Sequence, residues 1–175
     1  DQNNMQITSS TTLAPGVYCG GIKIASGANV DMQPGTYVMD AGDFDVSGNA
    51  VLNGSDVTII LTSSHGSTGS LAITGGTEVN LSAPTDGEYG GVLFYQDRNA
   101  NPSGVSKVTG NADLHVDGAI YFPSQEFHFG GNGSFQEDCT QIIAASVALT
   151  GDFSIADNCD HMPVSTIGRR RAALV

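Results

Sequence analysis

Tryptophan is absent from the 175 residues, and positive charge is scarce, with six Lys and Arg against 18 Asp and Glu. Three of the six cations are the consecutive Arg169, Arg170 and Arg171, so residues 1–168 hold three cations against 18 acids, a net charge of -15. A body so poor in cations lacks the basic stripe that phosphate binding requires, which sets nucleic acid aside as a partner. Charged residues of both signs make up 14% of the chain, against about 25% in ordinary soluble domains. That is too few to clothe the outer faces of a helical bundle. Apolar runs are short as well. None reaches the length of about 18 residues that a membrane-spanning helix needs, so neither a span nor a signal peptide is expected within these residues. The start at Asp1 suggests that a targeting segment has been removed. Cysteine is limited to three residues, which allows one internal bridge at most. Glycine is what the chain has in quantity: 23 residues spread among Thr, Ser, Asn and Val, the composition of many short strands and turns. The length suits a single domain with a real core.

The glycines recur in a pattern. Pro15-Gly16-Val17-Tyr18 and Pro34-Gly35-Thr36-Tyr37 are similar, and one turn is reused around Ser26, Gly48, Gly75, Gly110, Gly131 and Gly151. Taken as origins, these six positions are spaced by 22, 27, 35, 21 and 20 residues. Two residues before the origins stand Ile24, Val46, Ile73, Val108, Phe129 and Leu149; four after stand Val30, Leu52, Val79, Leu114, Phe135 and Ile155. Both columns are wholly apolar. The column one residue after the origins holds only Gly, Asn or Asp. Alternation with period two, restarting at a fixed phase in each repeat, is the mark of strands with one inward and one outward face.

Each repeat has room for three such strands: Thr77–Leu81, Gly91–Tyr95 and Val105–Thr109 in the third full copy, then Ala112–Val116, Gly118–Phe122 and Glu126–Phe129 in the fourth. A meander reverses direction at every turn and need not keep this phase, whereas a coil keeps it automatically by stacking each strand on its equivalent about 4.8 Å away. The expectation is an all-β, right-handed, three-faced parallel β-helix, or β-solenoid, of about six coils. Residues 1–25 would be a cap or first partial coil, 26–159 the coils and 160–175 a C-terminal cap and tail. Asn49, Asn111 and Asn132 share one column, where stacked amides would form a ladder at a corner; a left-handed turn satisfied by Gly-Asn is the alternative.

The two long repeats locate their own insertions. About six extra residues fall in 62–70, and about fourteen are split between 82–90 and 96–104. Segments 62–70 and 96–104 both lie between second and third strands of consecutive coils, so they are expected at one corner, one above the other. Loops on a rigid scaffold are where binding residues collect. The candidate binding residues are therefore His65, Tyr95, Gln96, Asp97, Arg98, Asn99 and Asn101. A nucleophile–base set drawn from His65, Asp97, Arg98 and Ser63 or Ser103 is conceivable at that corner, but no GxSxG elbow is present and no catalytic role is expected. His115 and His128 read as outward strand residues.

Cys139 and Cys159 each lie eight residues after an origin. Equivalent positions in adjacent coils are about 5 Å apart, within disulfide range. A Cys139–Cys159 bridge is expected, with Cys19 several coils away, and such a bridge implies an oxidising compartment; three reduced thiols are the alternative. The cluster Asp157, Asp160 and His161 has donors for a hard cation or, through His161, a transition metal. Its spacing matches no metal motif, and a solvated corner is the preferred reading. Asp40, Asp43 and Asp45 form a weak calcium candidate of the same kind. No cofactor is expected.

The stretches LAPGVYCGGIKI (13–24), PGTYVMD (34–40), LSAPTDGEYGGVLFYQDR (81–98), GAIYFPS (118–124) and CTQIIA (139–144) give the chain a resemblance to the C-terminal domain of TadG-like proteins, associated with the Flp or Tad pilus of bacteria. The resemblance covers nearly the whole chain. It implies a bacterial envelope protein whose β-rich domain lies outside the cytoplasm, periplasmic or extracellular, held to the membrane only by a segment absent from these residues. The stacked loops on a low-charge, Asn/Thr/Ser-rich solenoid point to a structural or adhesive function, with a pilus or envelope protein, a glycan or a surface as partner. Self-association through strand edges at the ends of the stack is a second reading, and an enzyme or binder acting on envelope polysaccharide a third. The family offers no established catalytic residues to carry over.

Overall fold

In the computed structural model the described residues are 2–131 and 139–151. They form thirteen strands and no helix: β1 (Gln2–Ile7), β2 (Thr11–Leu13), β3 (Gly16–Ile24), β4 (Asn29–Met32), β5 (Gly35–Val46), β6 (Val51–Gly54), β7 (Val57–Thr62), β8 (Leu71–Thr74), β9 (Glu78–Ser82), β10 (Val92–Gln96), β11 (Val105–Gly110), β12 (Asp113–Gly131) and β13 (Thr140–Thr150). Local sequence accounts for the extended backbone. In β4 and β9 apolar and polar residues alternate, with Val30, Met32, Val79 and Leu81 buried and Asn29, Asp31 and Glu78 exposed.

Every strand pairing is parallel. The pairings run in three series. The first links β2, β4, β6, β9 and the start of β12. The second passes from β1 through β3, β5, β7, β10 and the middle of β12 to β13. The third takes up the later halves of β3 and β5 and continues through β8, β11 and the ends of β12 and β13. Because β5 and β12 each serve more than one series, the pairings close a six-stranded parallel barrel, β5-β7-β10-β12-β11-β8, with the other strands outside it.

The register matches the sequence columns. Ile24, Val46, Ile73, Val108, Phe129 and Leu149 are consecutive partners, and so are Val30, Leu52, Val79 and Leu114. All but Leu149 are fully or almost fully buried, each contributing about 1.5–3 kcal/mol by leaving water. Aromatic rings thicken the core, with Phe122 and Phe127 stacked at 5.9 Å and Tyr18 and Tyr37 at 6.1 Å. Tyr37 shares its hydroxyl proton between the carbonyls of Leu13 and Gln33, and burial pushes its pKa up to about 12.

In the fourth copy β12 is continuous from Asp113 to Gly131, yet its pairing divides as expected: 113–117 lie against β9, 118–122 against the start of β13, and 126–130 against the end of β13 and β11, with the bend at Gly118 taken at a φ of 135° that favours glycine. Residues 1–25 take up the same registers as the later strands, with Ile7 paired to Ile24 and Thr11 to Val30. The Asn49 and Asn111 amides do not stack, because Gly76 stands between them in the column, with Asn49 Oδ1 2.7 Å from where a Cβ would stand on it. An amide ladder exists elsewhere, on the outward side of the first series, where Asn80 donates to Asn53 at 2.9 Å and Asn53 to Asp31 at 3.1 Å. Asn132, Asp157, Cys159, Asp160, His161 and the Arg169–Arg171 run lie outside the described residues.

Close backbone approach marks the corner between the second and third series. A Cβ on Gly42 would stand 1.9 Å from the carbonyl carbon of Gly20, and one on Gly69 would stand 2.0 Å from the Gly42 oxygen. Only glycine permits strands to stack this tightly.

Candidate functional site

The 62–70 segment leaves β7 and enters β8; the 96–104 segment leaves β10 and enters β11. Both pass from the second series to the third, and hydrogen bonds join them. Thr62 Oγ1 donates to Asp97 Oδ2 at 3.1 Å, the Asp97 amide to the Leu61 carbonyl at 2.9 Å, and Gln96 Nε2 to the Gly69 carbonyl at 2.9 Å. The two insertions therefore share one corner, as their places in the repeat imply.

Each loop is clamped by the strand stacked next to it. Asp40 accepts from the Ser64 amide at 2.7 Å and from its hydroxyl at 2.6 Å, and Asp43 accepts from the Ser70 amide at 2.7 Å. Those two bonds to Ser64 hold the Asp40 carboxyl below the usual aspartate range. On the far side, the Ser124 hydroxyl donates to the Arg98 carbonyl and Gln125 Nε2 to the Asn101 carbonyl at 3.0 Å. The second loop also braces itself. Asp97 Oδ1 accepts from the Asn99 amide and Asn101 Oδ1 from the Ser103 amide, two successive Asx turns at 2.9 Å.

Beneath the loops lies a buried polar knot. Gln96 donates to Gln125 Oε1 at 2.8 Å, Ser70 donates to the same oxygen at 3.3 Å, and Ser106 Oγ accepts from the Leu71 amide at 3.1 Å. Gln96 and Ser106 are 0% exposed and Gln125 1%. The Oε1 of Gln96 and the hydroxyl of Ser63 are buried there with no protein hydrogen-bond partner.

Of the expected binding residues, Arg98, Asn99 and Asn101 are exposed on the second loop and His65 on the first. Gln96 is corrected: it follows Met39 and Leu61 on an inward column, so it is sealed inside and ties the loops to the core. Asp97 is partly exposed, but both its oxygens are engaged with Thr62 and Asn99. Tyr95 belongs to a strand and not to the loop, pointing outward and stacking on Tyr121 at 5.4 Å with 18° between the rings. The conceivable nucleophile–base set does not assemble. His65 Nδ1 lies 3.0 Å from Ser64 Oγ, whose proton goes to Asp40, and no hydrogen bond links His65 to Asp97.

The sequence reading missed Tyr121, Ser124 and Gln125. Tyr121 pairs with Tyr95 only because one extra residue, Leu93, bulges between Val92 and Phe94 and shifts the alignment of the two copies. Ser124 and Gln125 sit in a corner that gains no residues, so nothing in the repeat lengths points to them.

Asp40, Asp43 and Asp45 do not converge on a cation; their partners are Ser64, Ser70 and, at 3.6 Å, Lys23. Among the described residues no group of three or more His, Cys, Asp or Glu side chains gathers as a metal site requires. Cys139 is fully buried and disulfide-bonded, whereas Cys19 is a free, partly buried thiol. His115 and His128 are partly exposed on outward positions, His115 3.9 Å from Asp113 and His128 3.2 Å from the Thr150 hydroxyl.

Comparison of the chain with family models, curated proteins and solved structures returns no significant match.

Proposed function

We propose that the chain is a non-catalytic, extracytoplasmic structural or adhesive domain, a right-handed three-faced β-helix of about six coils that presents two stacked loops to a partner. The observation that carries this reading is the rigid mounting of 62–70 and 96–104 on one corner, clamped by Asp40 and Asp43 on one side and by Ser124 and Gln125 on the other. Catalytic loops must leave polar groups free to act on a substrate; here most of them hold the loops in place. The coil reading is supported by the three in-register series. A closed ring of pairings is what a coil yields when long strands such as β5 and β12 pass its corners unbroken. The buried disulfide-bonded Cys139 favours an oxidising compartment, in keeping with the likeness to TadG-like pilus-associated domains.

Replacing 63–69 and 98–103 each by a two-residue turn is expected to leave a folded β-protein that no longer supports pilus-dependent attachment. Undiminished attachment by such a variant rejects the reading. End-to-end self-association is the second reading. It is favoured by β1 and β13, each of which pairs with one strand only among the described residues, since an uncovered strand edge templates addition. Sedimentation that stays monomeric across concentration and salt counts against it.

A further inference from the structure

The outward side of the second series carries an apolar line that the loops do not explain. Val17, Val38, Ile60, Tyr95, Tyr121 and Ile143 are consecutive register partners, one from each stacked strand from β3 to β13. Their side chains range from 40% exposed at Val17 to 9% at Ile60, and the four others are partly exposed. Because Tyr95 and Tyr121 stack on each other, the two ring faces turned toward one another are occupied. A sugar ring seeking an aromatic face finds none free between them.

The line is bounded on both sides. At one end of β10 stand the clamped loops already described. At the other, residues 84–89 lean over Thr36 and Thr58 and enclose a concavity of about 290 Å³, with Asp56, Asp86 and Glu88 in its lining. None of the three cations among the described residues is there: Lys23 and Lys107 lie on the third series, and Arg98 is on the opposite loop. The surface is thus a trough with an apolar floor and one acidic wall.

From its dimensions and charge we infer that the trough binds a cationic amphipathic helix of a partner protein, laid along the stack. Six rungs at the parallel-strand spacing make a floor about 24 Å long, the length of a helix of about 16 residues. A helix turn of about 5.4 Å lies close to the rung spacing of about 4.8 Å, so side chains at i, i+3 or i+4 and i+7 each meet a rung. The five residues of β10 span about 17 Å between the walls, which admits a helix of 10–12 Å diameter. Lys or Arg beside the apolar line of the helix would face Asp56, Asp86 and Glu88. A second copy is a poor occupant: it carries the same acidic wall and the same -15 body, and its own flat face is bounded by the same loops. The loops bound one side of the trough but supply neither its apolar floor nor its acidic wall, so loop-shortened protein should still bind.

Fluorescence anisotropy of the full chain with a labelled 18-residue peptide of Leu and Lys, its Leu placed at helix period, tests the inference. The control peptide has the same composition in strict alternation. The helix-period peptide is expected to bind at least about tenfold more tightly than the alternating one, and Tyr95→Ser with Tyr121→Ser should remove about a tenfold factor in affinity. Asp86→Asn with Glu88→Gln should weaken binding about threefold at low salt and flatten its salt dependence. If the tyrosine variant does not fold, Val17→Thr with Val38→Thr takes its place. Equal binding of the two peptides, no binding of either, or indifference to the floor substitutions overturns the proposal. So does a dimer, seen by sedimentation, that is lost on Tyr121→Ser.

Discussion

At Gln125 a single side chain does three things at once: it accepts from Gln96, accepts from Ser70 and donates to the Asn101 carbonyl, all in a setting 1% exposed. Truncating it leaves the buried Gln96 amide and the half-buried Ser70 hydroxyl short of an acceptor, and the Asn101 carbonyl without its donor. Gln125→Ala is expected to cost about 2–4 kcal/mol, read as a lower urea midpoint, and to loosen both loops together. Asp40 is the exposed counterpart. Its folded carboxyl titrates below the ordinary range because Ser64 holds the ionised form, so the contact is fully present above the unfolded pKa and is lost as pH falls through the folded one. The Ser64 amide chemical shift should therefore show an acidic step, below the usual aspartate range, that is absent in Asp40→Asn. Inward apolar residues were legible in the sequence at this scale because alternation reports the face directly. Gln96 was not. A glutamine among loop residues reads as exposed, and only the register beside Leu61 turns it inward.

Strands were legible where turns break them. The 78–82, 92–96 and 105–110 strands lie within a residue or so of their expected bounds. β12 was legible as three pairing segments but not as one continuous strand, since sequence marks bends and breaks alike with glycine. Corners whose glycines carry backbone against backbone are the elements least able to change. Gly42→Ala places a methyl on the backbone of Gly20 and Gly21, so the stack must open by more than side-chain adjustment. A loss of at least about 3 kcal/mol is expected, more than for Gly16→Ala, where nothing lies within 4 Å of a Cβ and the strain of a side chain at φ 157° is the whole cost. Similar melting temperatures for the two variants would contradict the tight corner.

For the molecule as a whole, three cations among 18 acids before residue 169 leave the body repelling itself. Raising salt from about 10 to 150 mM shortens the screening length from about 30 to 8 Å. The melting midpoint should rise by a few degrees; an unchanged midpoint would mean that counterions already neutralise the carboxylates. The stacking also has a mechanical consequence. Bonds between parallel neighbours run along the direction of stacking, so a load applied between β1 and β13 meets them one rung after another and peels the domain. A load directed along the strands strains a whole rung in shear. Resistance to force thus depends on the direction from which the domain is held, and a tether attached to the side of the stack would withstand more than one attached to its ends.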